Sequence, residues 1–179
     1  MDDIMLVLKN GKKIKIRQVL GNDYDEVMCF FAKFSCGPGA KWTYQYANQP
    51  AKDRERTIKM YESPNSMFIA AWDNNVIVGM ASITKILPKH PYSGRVADIG
   101  ITILEEYTSI GIGGKLLQVV EQWAMNNHVH KLEANIRHKN LRSVGLFLKN
   151  GYTIVGLKHD TAFINNEWHH EYIIEKVIE

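Results

Sequence analysis

The chain of 179 residues has only two cysteines, Cys29 and Cys36. Two thiols make neither a disulfide framework nor a metal module, and they suit a reducing cytosol, so the expected location is the cytoplasm. No apolar run approaches the ~18 residues that a membrane span needs. The opening "MDDIMLVLKNGKK" starts acidic and then alternates, unlike a secretory leader. No repeat, low-complexity tract or linker interrupts the chain, so one domain over residues 1–179 is expected. The net charge of +3 suits an anionic ligand but is too small for a nucleic-acid surface. Hydrophobic residues at 45% and charged residues at 23% leave enough apolar material for a packed core.

Alternation and turn residues give the outline. "IMLVLK" and "KIKIRQV" flank Asn10-Gly11 and predict a hairpin. Asp23 followed by Glu26 predicts a capping box, and Tyr24, Val27, Met28 and Phe31 predict a helix behind it, ended by "SCGPGAKW". "QPAKDRERTIKMY" reads as a polar surface helix with a thin apolar stripe at Ile58 and Tyr61. "MFIAAW", the turn "DNN" and "VIVGMASITKIL" predict a second hairpin. "PKHPYSG" is a loop, and "RVADIGITIL" an apolar strand. A helix presenting Ile112, Leu116, Val120, Trp123 and Ala124 follows, then a strand "KLEANI". The helix "NLRSVGLFLKN" is stopped by Gly151, and a last hairpin turns at Asn165-Asn166. Strands with inserted helices predict an α+β, or mixed α/β, fold.

The stretch "TSIGIGGKLL" lies between a strand and a helix. Backbone N–H groups at such a junction lack internal partners and, with the positive end of the helix dipole, attract phosphate. Glycines let the phosphate come close. The plain alternative is a turn that only joins strand to helix. A P-loop is excluded, because Leu116 follows Gly114-Lys115 and Ser109 stands where its first glycine belongs. The dinucleotide fingerprint fails because Leu116 occupies its third glycine position.

"IGITILEEYTSIGIGGKLL" instead resembles the acetyl-coenzyme A motif of the GNAT acetyltransferase superfamily, through Ile103, Tyr107, Gly111 and Gly113. "NLRSVGLFLKNGY" resembles that family's second motif, through Asn140, Ser143, Gly151 and Tyr152. The chain ending resembles the branch that includes ribosomal-protein and small-amine N-acetyltransferases. The likeness is firm from about residue 67 to 179 and looser before it.

The resemblance implies a mostly antiparallel twisted sheet with two splayed parallel strands and about four helices, with acetyl-coenzyme A as cofactor. It implies that backbone groups of Ile101, Thr102 and Ile103 pair with the pantetheine arm and point an N–H at the thioester carbonyl, where charge grows during attack. The side chains of Ile101 and Ile103 would also serve as strand core. It implies that backbone N–H groups of Ser109, Ile110, Gly111, Ile112, Gly113 and Gly114 hold the pyrophosphate. Thr108 stands where the family has glutamine or arginine, and Ser109 where glycine is common; backbone recognition survives both changes.

Asn140 is a helix cap and, by resemblance, a contact to the cofactor arm. Lys149 is a solvated helix-end lysine or a phosphate contact. Phe147 departs from the family, which carries tyrosine there to protonate the leaving thiolate; phenylalanine has no proton to give. Ser143, one turn earlier, could hold a water in its place. A thiol of pKa ~8.5 leaves tolerably without an acid. The attacking amine must lose a proton, and Asp98 and Glu105 are the candidate bases. Apolar neighbours would raise the pKa of Asp98; the plain alternative is a solvated Asp98.

His128, His130, His159, His169 and His170 show no metal-site spacing and are read as surface or packing residues, with no metal expected. "KKIKIR" is one exposed strand face. Trp42, Tyr44 and Tyr46 either shape an acceptor pocket or cover the core. The reading is direct acetyl transfer to a primary amine on a small molecule, an amino acid or a protein N-terminus. No nucleic acid or membrane partner is expected, and a homodimer is allowed. The alternatives are a non-catalytic acyl-coenzyme A sensor, which Phe147 would suit, and a nucleotide-binding regulator that uses the glycine loop alone.

Overall fold

The computed structural model describes residues 2–42 and 53–178. Its chain order is β1 (Ile4–Val7), β2 (Lys13–Gln18), α1 (Tyr24–Ser35), α2 (Arg54–Tyr61), β3 (Ser66–Asp73) and β4 (Val76–Lys85). Then come β5 (Val96–Ile103), α3 (Ile112–Asn126), β6 (Lys131–Arg137), α4 (Leu141–Lys149), β7 (Thr153–Ile164) and β8 (Glu167–Val177). The strands form one sheet in the order β1-β2-β3-β4-β5-β6-β8-β7. β5 with β6 is a parallel pair, while β1 with β2, β2 with β3, β3 with β4, β6 with β8 and β8 with β7 are antiparallel. This is the mixed α/β architecture expected from sequence. The chain forms two compact units, Met1–Thr84 with Gly100–Trp123, and Lys85–Ile99 with Ala124–Glu179.

In the first unit, β1 and β2 form the expected hairpin, with Leu8 N–H donating to the Lys12 carbonyl at 2.8 Å and Gly11 at φ 81°. Lys13 and Lys15 are exposed while Ile14 and Ile16 are fully buried, so the basic run is one face of β2. β3 and β4 turn at Asn74 and Asn75, with Asn74 at φ 54°.

Two local expectations change here. Asp23 sits at the head of α1 but makes no side-chain bond into the helix. Its carboxylate accepts two hydrogen bonds from Arg17, both 2.7 Å, and one from Leu20 N–H at 2.8 Å. A two-pronged charged pair outcompetes a neutral cap, and the Arg17 guanidinium holds the Asp23 carboxyl below its ordinary range. The core stripe of α1 is also rotated. Tyr24, Val27, Phe30 and Phe34 are buried, while Met28 and Phe31 are half-buried. α2 is capped by Asp53, which accepts from Arg56 N–H at 3.1 Å. It buries Thr57 and Tyr61, with Ile58 half-buried.

Ile112, Leu116, Leu117, Val119 and Val120 of α3 lie in the core. Gly79 of β4 lets this helix and the end of β5 come close. A methyl group there would lie 3.3 Å from both Ile103 and Ile112 and 3.6 Å from Leu116.

In the second unit, β6 is paired along its length with β8, and β8 with β7. The parallel ladder between β5 and β6 consists of Val96 with Lys131, Ala97 with Leu132, and Asp98 with Glu133. β7 and β8 turn at Asn165 and Asn166, both at positive φ (53° and 62°), as a two-residue hairpin that matches strand twist requires. α4 is capped by Asn140, whose side-chain oxygen accepts from Ser143 N–H at 3.3 Å. It ends before Gly151 at φ 84°, a left-handed residue where glycine costs least.

Candidate active site

The first unit carries the glycine loop. Leu104 N–H donates to the Val78 carbonyl at 2.9 Å, anchoring the end of β5. A short helical turn, Glu105–Tyr107, follows. Thr108 closes it by donating both its N–H (3.1 Å) and its hydroxyl (2.7 Å) to the Glu105 carbonyl. That hydroxyl is therefore engaged with the chain itself. Ser109 then takes φ 62° and Gly111 φ 111°, and α3 begins. Lys115 N–H returns to the Gly111 carbonyl at 3.3 Å.

Between these anchors, among the described residues, no hydrogen bond takes up the N–H groups of Ser109 through Gly114. A Cβ at Gly111 or Gly114 would meet nothing within 4 Å, so the loop has open space over it. Ile112 is fully buried, so only its backbone is available, and Ile101, Thr102 and Ile103 are half-buried on β5. Open donors, a glycine held in the left-handed region and the positive end of a 15-residue helix fit a diphosphate.

The second unit carries the candidate side chains. Asp98 lies on β5 with its side chain exposed. Its carboxyl is pushed up to about 6, first by loss of surrounding water and then by Glu133, its register partner, while Lys158 pulls the other way. The Ser143 hydroxyl and the Asn140 side-chain NH₂ make no bond among the described residues. Phe147 is 2% exposed and packs edge-on against Tyr152, centroids 4.9 Å apart. That places its ring in the core. Lys149 is exposed in the last turn of α4. In the first unit, Glu105 is exposed and Trp42 half-buried. Tyr44 and Tyr46 lie outside the described residues.

Several groupings escaped sequence reasoning. His138, His159, His169 and His170 gather with ring centroids 4.9 to 5.7 Å apart between neighbours. Burial lowers the pKa of His169. Among the described residues, no three His, Cys, Asp or Glu side chains are arranged to hold a metal ion. Arg137 and Glu171 form a buried ion pair at 3.4 Å. Asp73, Tyr107 and Lys12 converge at the residue that ends the helical turn leading into the glycine loop.

The sequence pattern of the acetyltransferase (GNAT) family matches residues 38–152. The chain belongs to that family. Membership makes it an acetyl-coenzyme A-dependent N-acetyltransferase. No curated protein matches the chain in sequence. Among solved structures, a GNAT acetyltransferase from Streptococcus pneumoniae is 23% identical, with a TM-score of 0.81 over 93% of this chain and 99% of that one. The yncA protein of Salmonella typhimurium, solved with its cofactor acetyl-CoA, is 16% identical (TM-score 0.76, covering 93% and 94%). A ribosomal-protein-alanine N-acetyltransferase from Brucella melitensis is 20% identical (TM-score 0.72, covering 91% and 99%). At these identities the structures speak for the fold. Among the described residues, this acetyltransferase has no helix long and apolar enough to cross a membrane.

Proposed function

We propose that residues 1–179 act as one acetyltransferase domain that moves an acetyl group to a primary amine on a small molecule, an amino acid or a protein N-terminus. Bound acetyl-CoA supplies the acyl group as a thioester, from which direct amine attack gives an amide and free coenzyme A. The observation that carries the reading is the run of unbonded N–H groups from Ser109 to Gly114 at the head of α3. These donors would hold the pyrophosphate. Backbone groups of Ile101, Thr102 and Ile103 would align the arm and donate to the carbonyl oxygen as it gains charge.

Asp98 is the proposed base. An ammonium with pKa ~10.4 cannot attack; a carboxylate with its pKa raised to about 6 takes the amine's proton more readily than an ordinary one. The thiolate is left to take its proton from water, which Ser143 would hold, because Phe147 has none to give. The Asn140 NH₂ would contact the arm and Lys149 an outer phosphate. The exposed free thiols of Cys29 and Cys36 support a cytoplasmic setting. β7, at the outer edge of the sheet with Ile154, Val155 and Leu157 exposed, supports a homodimer.

Calorimetry with coenzyme A and with ADP, followed by thiol release from acetyl-CoA across a panel of amines, tests the reading. Saturable binding of coenzyme A, tighter than of ADP, and amine-dependent thiol release are expected. No coenzyme A binding would overturn the loop assignment. Binding without release for any amine would overturn the transferase reading.

A further inference from the structure

Three residues far apart in sequence meet at the entry of the phosphate loop. Lys12 lies in the loop between β1 and β2, Asp73 ends β3, and Tyr107 ends the helical turn just before Ser109. The Tyr107 hydroxyl donates to Asp73 Oδ2 at 2.5 Å. Lys12 Nζ donates to the same carboxylate oxygen and lies 3.4 Å from the Tyr107 hydroxyl and 5.2 Å from its ring centroid. The hairpin reaches the loop's backbone as well, since Lys9 N–H donates to the Ile110 carbonyl at 3.4 Å. The Asp73 side chain is 11% exposed and its bond to Tyr107 is partly shielded from water, whereas Lys12 reaches it from the solvent side. Lys12 first, and Tyr107 next, hold the Asp73 carboxyl below its ordinary range.

The loop needs support from outside. Ser109 is not glycine yet occupies the left-handed region, Gly111 is in it too, and the N–H groups in between make no internal bond. A segment so poor in internal bonds loses much conformational freedom when it orders around a ligand. Ordering it in advance strengthens binding without touching the reacting atoms.

We propose that Asp73 is a positioning residue for the coenzyme. Gripping Tyr107 and sharing Lys12, it fixes the entry of the loop and so aims the Ser109–Gly114 N–H groups at the phosphates. Affinity for coenzyme A depends on it; the chemical step does not. Lys12 has a second part. It neutralises a carboxylate that would otherwise stand, unpaired, beside a site for a polyanion. The inference rests on the phosphate-loop reading above.

The test is coenzyme A binding by calorimetry, with kcat and KM for acetyl-CoA, on Asp73→Ala, Tyr107→Phe, the double variant and Lys12→Met. Asp73→Ala and Tyr107→Phe should each weaken coenzyme A about tenfold. The double variant should be no weaker than Asp73→Ala alone, because that substitution already removes the bond that Tyr107→Phe removes. KM should rise with kcat at saturation unchanged. Lys12→Met should weaken binding further, more at low salt than at high, and adding Asp73→Asn to it should recover part of the loss. Tyr107→Phe keeps the ring and decides the matter if Asp73→Ala fails to fold. If the unaltered protein binds no coenzyme A, the phosphate-loop reading falls. If it binds, but Tyr107→Phe binds equally well, or kcat falls while KM holds, the positioning role of Asp73 is overturned.

Discussion

The loop at the head of α3 and the polar face of the second unit offer chemistry by different means. The loop offers main-chain donors; side chains are absent at Gly111, Gly113 and Gly114, Ile112 is buried in the core, Ile110 is half-buried and Ser109 is exposed. The second unit uses side chains. Asp98, Glu133 and Glu175 follow one another in register across β5, β6 and β8. Lys131 bridges the two glutamates at 3.0 and 3.4 Å, and Arg137 with Glu171 lies further along the same two strands. Main-chain donors do not titrate and tolerate substitution wherever the backbone can still adopt its path. Carboxylates titrate, and each depends on its neighbours. Replacements in the loop should therefore act through conformation, and those in the second unit through charge and pH.

The largest effect expected is from Asp98→Asn. As a general base its removal should lower kcat by about 10²-fold or more, and activity should no longer climb as the pH passes through about 6. Its effect on stability has the opposite sign. A carboxyl whose folded pKa is raised from 3.8 to about 6 stabilises below the lower value and loses that contribution as pH rises through the higher one. Asp98→Asn should accordingly raise Tm above that window, with the gain vanishing as pH falls across it. An unchanged pH–rate profile would remove Asp98 from the chemistry.

Next is Glu171→Ala. Leaving Arg137 buried without its carboxylate should cost about 3 kcal/mol in urea unfolding. A loss below about 1 kcal/mol would mean the pair is readily hydrated. Gly111→Val should come third. A branched residue at φ 111° forces the loop off its path, and coenzyme A should bind at least ~10-fold more weakly, with the pH profile of kcat unchanged. A shifted profile would break the distinction between the two regions. The smallest is Gly79→Ala, where a methyl 3.3 Å from Ile103 and Ile112 should cost about 1 kcal/mol of stability.

What was legible in the sequence was local. Asn165-Asn166 marked its hairpin, Asn140 its helix cap and Gly151 its helix end, because each acts within a few residues of itself. The glycine loop was legible for the same reason. What escaped depends on pairing between elements. Asp23 looked like a helix cap until Arg17 of β2 claimed its carboxylate. In α1 the spacing allowed two apolar stripes, and contact with the rest of the unit chose Phe30 and Phe34 over Met28 and Phe31. The Asp73 brace joins residues 34 and 61 positions away from Asp73, and no short window contains it. The four histidines converge only through the registers of β6, β7 and β8.

Cys29 and Cys36 lie seven residues apart, one on α1 and one directly after it, and both are exposed. Two helical turns part their backbones by roughly 10 Å, beyond the ~7 Å that an internal disulfide can bridge. Oxidation in air would therefore couple one copy to another instead of closing a ring within the chain. Preparations kept without a reductant should accumulate covalent pairs, visible on non-reducing gels, and would mimic a native dimer in any measurement of molecular mass.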